Sequence, residues 1–116
     1  MPESDCLFCK IVAKEIPSKV VHEDAEILAF DDIHPAAPVH VLVVPKRHIA
    51  TLNDAAPADA PLLGRLFEVA ARIARERGVA ASGWRATVNV GRDAHQLVFH
   101  VHLHLMAGRP FAWPPG

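Results

Sequence analysis

Apolar positions recur along the chain with two different periods, and the change of period marks the elements. "CLFCKIVAKE" has Leu7, Phe8 and Ile11 at helical spacing and stops before Pro17, which predicts a short amphipathic helix. "SKVVHEDAEILAFDD" reads as two strands, 19–23 and 27–31, turning through Asp24 and Ala25. After "IHPAAP", the β-branched run "VHVLVVPKRH" predicts a strand with His40, Leu42 and Val44 on one face, ended by Pro45. In "DAPLLGRLFEVAARIARERG", Leu62, Leu66, Val69 and Ile73 follow the 3.6 period, with Asp59 placed as N-cap and Gly78 as the stop.

Two further strands are predicted, one over 85–91 and one through "FHVHLHLMAG", with "DAHQL" as the tight connection between them. The order is helix, three strands, long helix, two strands. It predicts an α+β fold, a five-stranded antiparallel sheet with its helices on one face. Prolines 110, 114 and 115 keep the tail "GRPFAWPPG" out of a helix.

Strand alternation puts His100, His102 and His104 on one side and Val101, Leu103 and Leu105 on the other. At a rise of about 3.3 Å per residue, neighbouring rings on that side stand about 6.6 Å apart. Three readings stay open from the residues alone. The rings are satisfied core histidines, each needing its own partner; or ligands, since His-x-His on a strand offers two nitrogens to Zn, Cu or Fe; or nucleophile and hydrogen-bond donors. The last needs adjacent imidazoles in different protonation states, which a side chain with a pKa of about 6.5 supplies near neutrality.

Composition narrows the partners. The chain has 116 residues, enough for one domain, 1–116, and small enough that dimerisation would help cover apolar surface. Twelve Lys and Arg against thirteen Asp and Glu give a net charge of −1, which argues against nucleic acid or an acidic membrane as partner. No apolar run has the length of a membrane span and the first residues do not read as a leader, so a cytoplasmic protein is expected. The only cysteines, Cys6 and Cys9, form C-x-x-C. In a reducing compartment that spacing suggests a metal site, packed thiols or a redox dithiol; no thioredoxin-like context surrounds it.

"HVHLHLM" matches the His-x-His-x-His-x-x signature, x being hydrophobic, and the chain resembles the histidine triad superfamily in its nucleotide-binding branch. The likeness runs through "CLFCKIVAKEIPSKVVHED", "AFDDIHPAAPVHVLVVPKRHI", "NVG" and "WPPG". The resemblance implies a homodimeric purine nucleoside phosphoramidase that splits the α-phosphorus from an amine or acyl group, with adenosine 5'-phosphoramidate and aminoacyl adenylates as typical substrates. It makes His102 the nucleophile, passing through a nucleotidyl-imidazole. His104 then faces phosphate and leaving group, His40 supports the ring and the proton relay, and His100 holds the strand end.

The same resemblance places Leu7, Phe8, Ile11, Phe30, Ile33 and Leu42 around the base, Asp32 at the ribose hydroxyls and Asn89 at the phosphate. Apolar walls for a flat base and a carboxylate for two hydroxyls are a sound combination. No cofactor is implied for the chemistry. A structural zinc, as in some bacterial members and in galactose-1-phosphate uridylyltransferases, would take Cys6, Cys9, His48 and His100. Trp113 is placed against a partner subunit near its active site. Leu97 departs from the branch, which often has a polar residue there, and His95 stands where a glycine is usual. Other readings are a nucleotide-binding adaptor, a dinucleoside polyphosphate hydrolase and a metal-binding protein.

Overall fold

The computed structural model describes residues 5–116. Seven regular elements follow in order: α1 (Leu7–Val12), β1 (Val20–Glu23), β2 (Ile27–Asp31), β3 (Val39–Pro45), α2 (Ala60–Glu76), β4 (Trp84–Thr87) and β5 (Leu103–Ala107). All neighbouring strands are antiparallel, in the order β1-β2-β3-β5-β4. The expected five-stranded α+β architecture is therefore present, and β3, which carries His40, lies beside β5, which carries His104.

The helices do not share a face. Ile27, Ala29, Val41, Val43, Leu103 and Leu105 pack with Leu66, Val69 and Ile73 of α2. The alternate residues Leu28, Phe30, Leu42 and Val44 pack with Phe8 and Ile11 of α1. Strands covered on both sides read as continuous apolar runs, and "ILAF" and "VLVV" are such runs. This corrects the expectation of helices on one face, and places the small helix over the side where the histidines are. Leu7, expected inward, is 43% exposed. On a helix this short, Phe8 and Ile11 already cover the space over Phe30 and Leu42.

Two strand boundaries also move. β4 ends at Thr87 rather than 91, because its ladder partner β5 offers residues only back to Leu103. His100 and His102 precede β5 in non-ladder backbone; the Val101 N–H instead donates to the Ile49 carbonyl at 2.7 Å. Asp59 precedes α2 without capping it. Its carboxylate accepts from the Ala56 N–H at 2.8 Å and pairs with Arg47. At the other end Gly78 does stop the helix: at φ +73° it closes Val79 N–H to Ala74 C=O at 3.0 Å and its own N–H to Arg75 C=O at 3.1 Å.

Leu103 is fully buried between sheet and α2. Leu103→Ala should cost about 3 kcal/mol in a denaturant titration, the usual loss for a buried leucine with incomplete relaxation. A cost under about 1 kcal/mol would mean that α2 collapses onto the gap. Among the described residues no helix is long and apolar enough to cross a membrane.

Candidate active site

His40, His102 and His104 meet on the α1 side of the sheet, and backbone groups at Ala36 and His100 decide which nitrogens carry protons. His102 Nδ1 lies 2.7 Å from the His100 carbonyl. A carbonyl only accepts, so Nδ1–H donates and Nε2 is left with its lone pair. The Ala36 N–H donates to His40 Nδ1 at 3.0 Å, so in neutral His40 the proton is on Nε2. His40 Nε2–H then donates to His104 Nδ1 at 2.9 Å, and His104 keeps its own proton on Nε2. The rings of His102 and His104 are 4.9 Å apart between centroids. One ring thus presents a lone pair and its neighbour an N–H, the complementary states a nucleophile and a donor require.

Burial keeps these rings neutral. Desolvation lowers the pKa of His102, against the opposing hydrogen bond to the His100 carbonyl. For His104, burial and then the neighbouring His102 and His40 rings push the pKa down to about 4. Burial lowers His40 too, with Asp32 opposing. An unfolded chain protonates such rings below about 6.5, whereas the folded one resists down to about 4 at His104. The stability they contribute is therefore complete above pH 6.5 and lost as pH falls towards 4. Denaturant midpoints measured from pH 7 to 4.5 should decline across this window; a flat profile would contradict the assignment.

His100 turns away from the other rings. Its Nε2–H donates to the Pro45 carbonyl at 2.7 Å, which aims the Nδ1 lone pair at Cys6 Sγ, 3.3 Å away, and Cys9 Sγ, 3.5 Å away. His48 Nδ1 is 3.3 Å from Cys9 Sγ and 3.2 Å from His100 Nδ1. The four ligand atoms lie within 4.8 Å of one another, close enough to hold a metal ion. A tetrahedral zinc with bonds of about 2.1 Å to nitrogen and about 2.3 Å to sulfur spaces its ligand atoms by about 3.3 to 3.8 Å, so donor set and spacing fit. The carbonyl behind His100 is the outer partner that metal-binding histidines commonly have.

Asp32, His40 and His104 also place three donor atoms within 4.8 Å. Here the tautomers argue against a metal. Ligation through His40 Nε2 would require a proton on Nδ1, where the Ala36 N–H already points. Asp32 instead stands 3.5 Å from His40 Nε2 and accepts the His34 N–H at 2.8 Å.

Phe8 joins the two clusters. Its ring is edge-on to His102 at 5.0 Å, His100 at 6.0 Å and Phe30 at 5.6 Å. With Ile11, Phe30 and Leu42 it forms the buried apolar floor. Asp32 and Ile33, the latter 85% exposed, line a cleft of about 660 Å³ with His40, Lys19 and Arg77. Asn89 is half-buried just beyond β4.

Residues 5–110 match the family described as "Scavenger mRNA decapping enzyme C-term binding". The chain is 46% identical over 112 residues to an uncharacterised HIT-like protein of Synechocystis sp., covering 97% of both. It is 43% identical over 106 residues to the purine nucleoside phosphoramidase of Escherichia coli, covering 91% of this chain and 89% of that one. A HIT family hydrolase from Legionella pneumophila superposes with a TM-score of 0.95 at 49% identity, over 97% of this chain and 100% of the other. The chain belongs to the histidine triad (HIT) superfamily.

Within this HIT domain, Gln96 holds a role that nothing in its sequence context marks. It is buried, accepts the Gly91 N–H at 2.9 Å, and donates to the carbonyls of Ala50 at 2.9 Å and Val98 at 3.1 Å. It ties the segment that delivers His100 and His102 to the chain following β3. Nothing in the spacing of "DAHQL" announces that role; a glutamine there reads as loop. His95 is exposed at φ +65°, and Leu97 is 71% exposed.

Proposed function

We propose that this HIT protein is a purine nucleoside phosphoramidase working by covalent catalysis at His102. The observation that carries the reading is the fixed tautomer: the His100 carbonyl holds Nδ1–H and leaves Nε2 as a neutral nucleophile. Nε2 attacks the α-phosphorus, the N–P bond forms, and the bond from phosphorus to the leaving amine or acyl oxygen breaks with its electron pair. The leaving nitrogen takes a proton from solvent, and a leaving carboxylate needs none. The His104 Nε2–H donates to the phosphate oxygen or leaving atom where charge collects. Water then splits the nucleotidyl-His102, returning the neutral ring and a nucleoside monophosphate.

The E. coli relative's name supports the substrate class. In the proposed complex Leu7, Phe8, Ile11, Phe30, Ile33 and Leu42 face the base, Asp32 takes the ribose hydroxyls, and Asn89 helps hold the phosphate. Exposure of Ile33 and Leu7 beside a buried apolar floor fits walls that a flat base would cover.

Zinc is the metal proposed for Cys6, Cys9, His48 and His100, as a closed structural site. It supplies no step of the reaction. The protein is proposed to act in the cytoplasm as a homodimer, with Trp113, 84% exposed, reaching the partner subunit.

The test is release of adenosine monophosphate from adenosine 5'-phosphoramidate, set beside hydrolysis of a dinucleoside polyphosphate. Phosphoramidate turnover above polyphosphate turnover is expected. A folded protein that binds adenosine monophosphate yet turns over neither would be an adaptor.

A further inference from the structure

The chain between β2 and β3 reads "DIHPAAP", and proline governs most of it. Pro35 and Pro38 have fixed φ, while His34 and Ala37, each preceding a proline, are pushed towards extended backbone. Ala36 is the residue between them with ordinary torsional freedom, and both its backbone groups are engaged. Its N–H donates to His40 Nδ1 at 3.0 Å, and its carbonyl accepts from Arg109 Nη2 at 3.1 Å.

Arg109 is itself held. Nη1 donates to the Pro110 carbonyl at 3.1 Å, and the guanidinium stands 4.4 Å from the centre of the Phe111 ring. Arg85 is 5.0 Å from the same ring and donates to the Ala112 carbonyl at 2.9 Å. One residue earlier, Gly108 at φ +95° passes so close to Pro38 that a Cβ there would lie 2.7 Å from the Pro38 Cβ. Residues 108 and 109 therefore clamp the proline loop at two points, Pro38 and Ala36.

We infer that Arg109 is a positioning residue for His40: by holding the Ala36 carbonyl it keeps the Ala36 N–H on Nδ1 and the His40 proton on Nε2, facing His104. The inference rests on the reading that the His104 Nε2–H serves the reaction. If Ala36 turns away, only the Asp32 carboxylate, 3.5 Å off and outside good hydrogen-bond distance, still favours the Nε2 proton, and His40 can carry its proton on Nδ1 and present a bare Nε2. His104, 2.9 Å away, then satisfies that lone pair by moving its own proton to Nδ1. The hydrogen bond between the rings reverses, and His104 loses the N–H on the side that faces substrate.

The experiment compares wild type with Arg109→Ala, Arg109→Lys and Gly108→Ala, reading ring-nitrogen tautomers by ¹⁵N NMR in ligand-free protein and steady-state kinetics with adenosine 5'-phosphoramidate. Wild type should show His40 and His104 protonated at Nε2. Arg109→Ala should shift both towards Nδ1–H and lower kcat about tenfold with KM changed by less than about twofold. Arg109→Lys should recover most of kcat, since an ammonium still donates to the carbonyl, and Gly108→Ala should shift the tautomers with Arg109 in place.

Unchanged tautomers in Arg109→Ala overturn the inference, whether or not kcat falls. Should that variant fail to fold, Arg109→Met, which keeps an apolar stem beside Phe111 but has no donor for the Ala36 carbonyl, takes its place, and unchanged tautomers there overturn the inference equally. The NMR arm uses no substrate: tautomers that shift in a protein whose wild type hydrolyses nothing would sink the phosphoramidase reading and leave the clamp standing.

Discussion

His102→Ala should lower the turnover of adenosine 5'-phosphoramidate by about 10³-fold or more while leaving the affinity for adenosine monophosphate nearly unchanged. The size follows from the role. A nucleophile removed from a double-displacement site leaves only positioning and hydrogen-bond donation to act on a direct attack by water. The His104 N–H and the apolar floor remain in the variant, so product binding survives. Kinetics and equilibrium binding on the same preparation check both halves. A loss below about tenfold would mean that water attacks phosphorus directly and that His102 is only a donor.

Removing zinc from the site proposed at Cys6, Cys9, His48 and His100 should be the largest perturbation of stability. The four proposed ligands come from the N-cap and first turn of α1, from the residues after β3 and from the segment before β5, so a bound ion would join three parts distant in sequence. An ion present at about a thousand times its Kd adds about 4 kcal/mol, which for a domain of this size is about 15 °C in Tm. Chelation of zinc-loaded protein, and separately Cys6→Ser with Cys9→Ser, should each produce that drop. Retained zinc in the double serine variant would place the metal at the other histidines instead. An unchanged Tm after verified zinc loss would reduce the cysteines to packed thiols.

Much of this was legible in the sequence. The alternation in "VHLHL" separated a chemical side from a core side, and Leu103 and Leu105 do pack under α2 while His104 faces α1. The position of α1 is not legible from alternation alone, which implies one buried face. In β2 and β3 both sets of alternate residues are apolar, which is the mark of burial on both sides.

The geometry of the rings was not legible at all. It depends on backbone groups at Ala36, Pro45 and His100, brought beside the imidazoles by tertiary packing, and a carbonyl has the same composition in every residue. Three rings on one regular strand is therefore not what the chain builds. His100 and His102 lie on irregular backbone that Gln96 ties to Ala50, and only His104 belongs to the ladder. That irregularity gives neighbouring histidines different jobs: His100 aims its free nitrogen at the cysteines, and His102 aims its free nitrogen away from its own backbone tether.

The central claim is a covalent bond between His102 Nε2 and phosphorus. Its most direct test is mass spectrometry of the protein quenched during turnover of an aminoacyl adenylate. The account predicts one nucleoside monophosphate attached to the peptide bearing His102, lost on standing in acid and absent from His102→Ala. Sustained turnover with no adduct in wild type, and the same rate in His102→Ala, would contradict it.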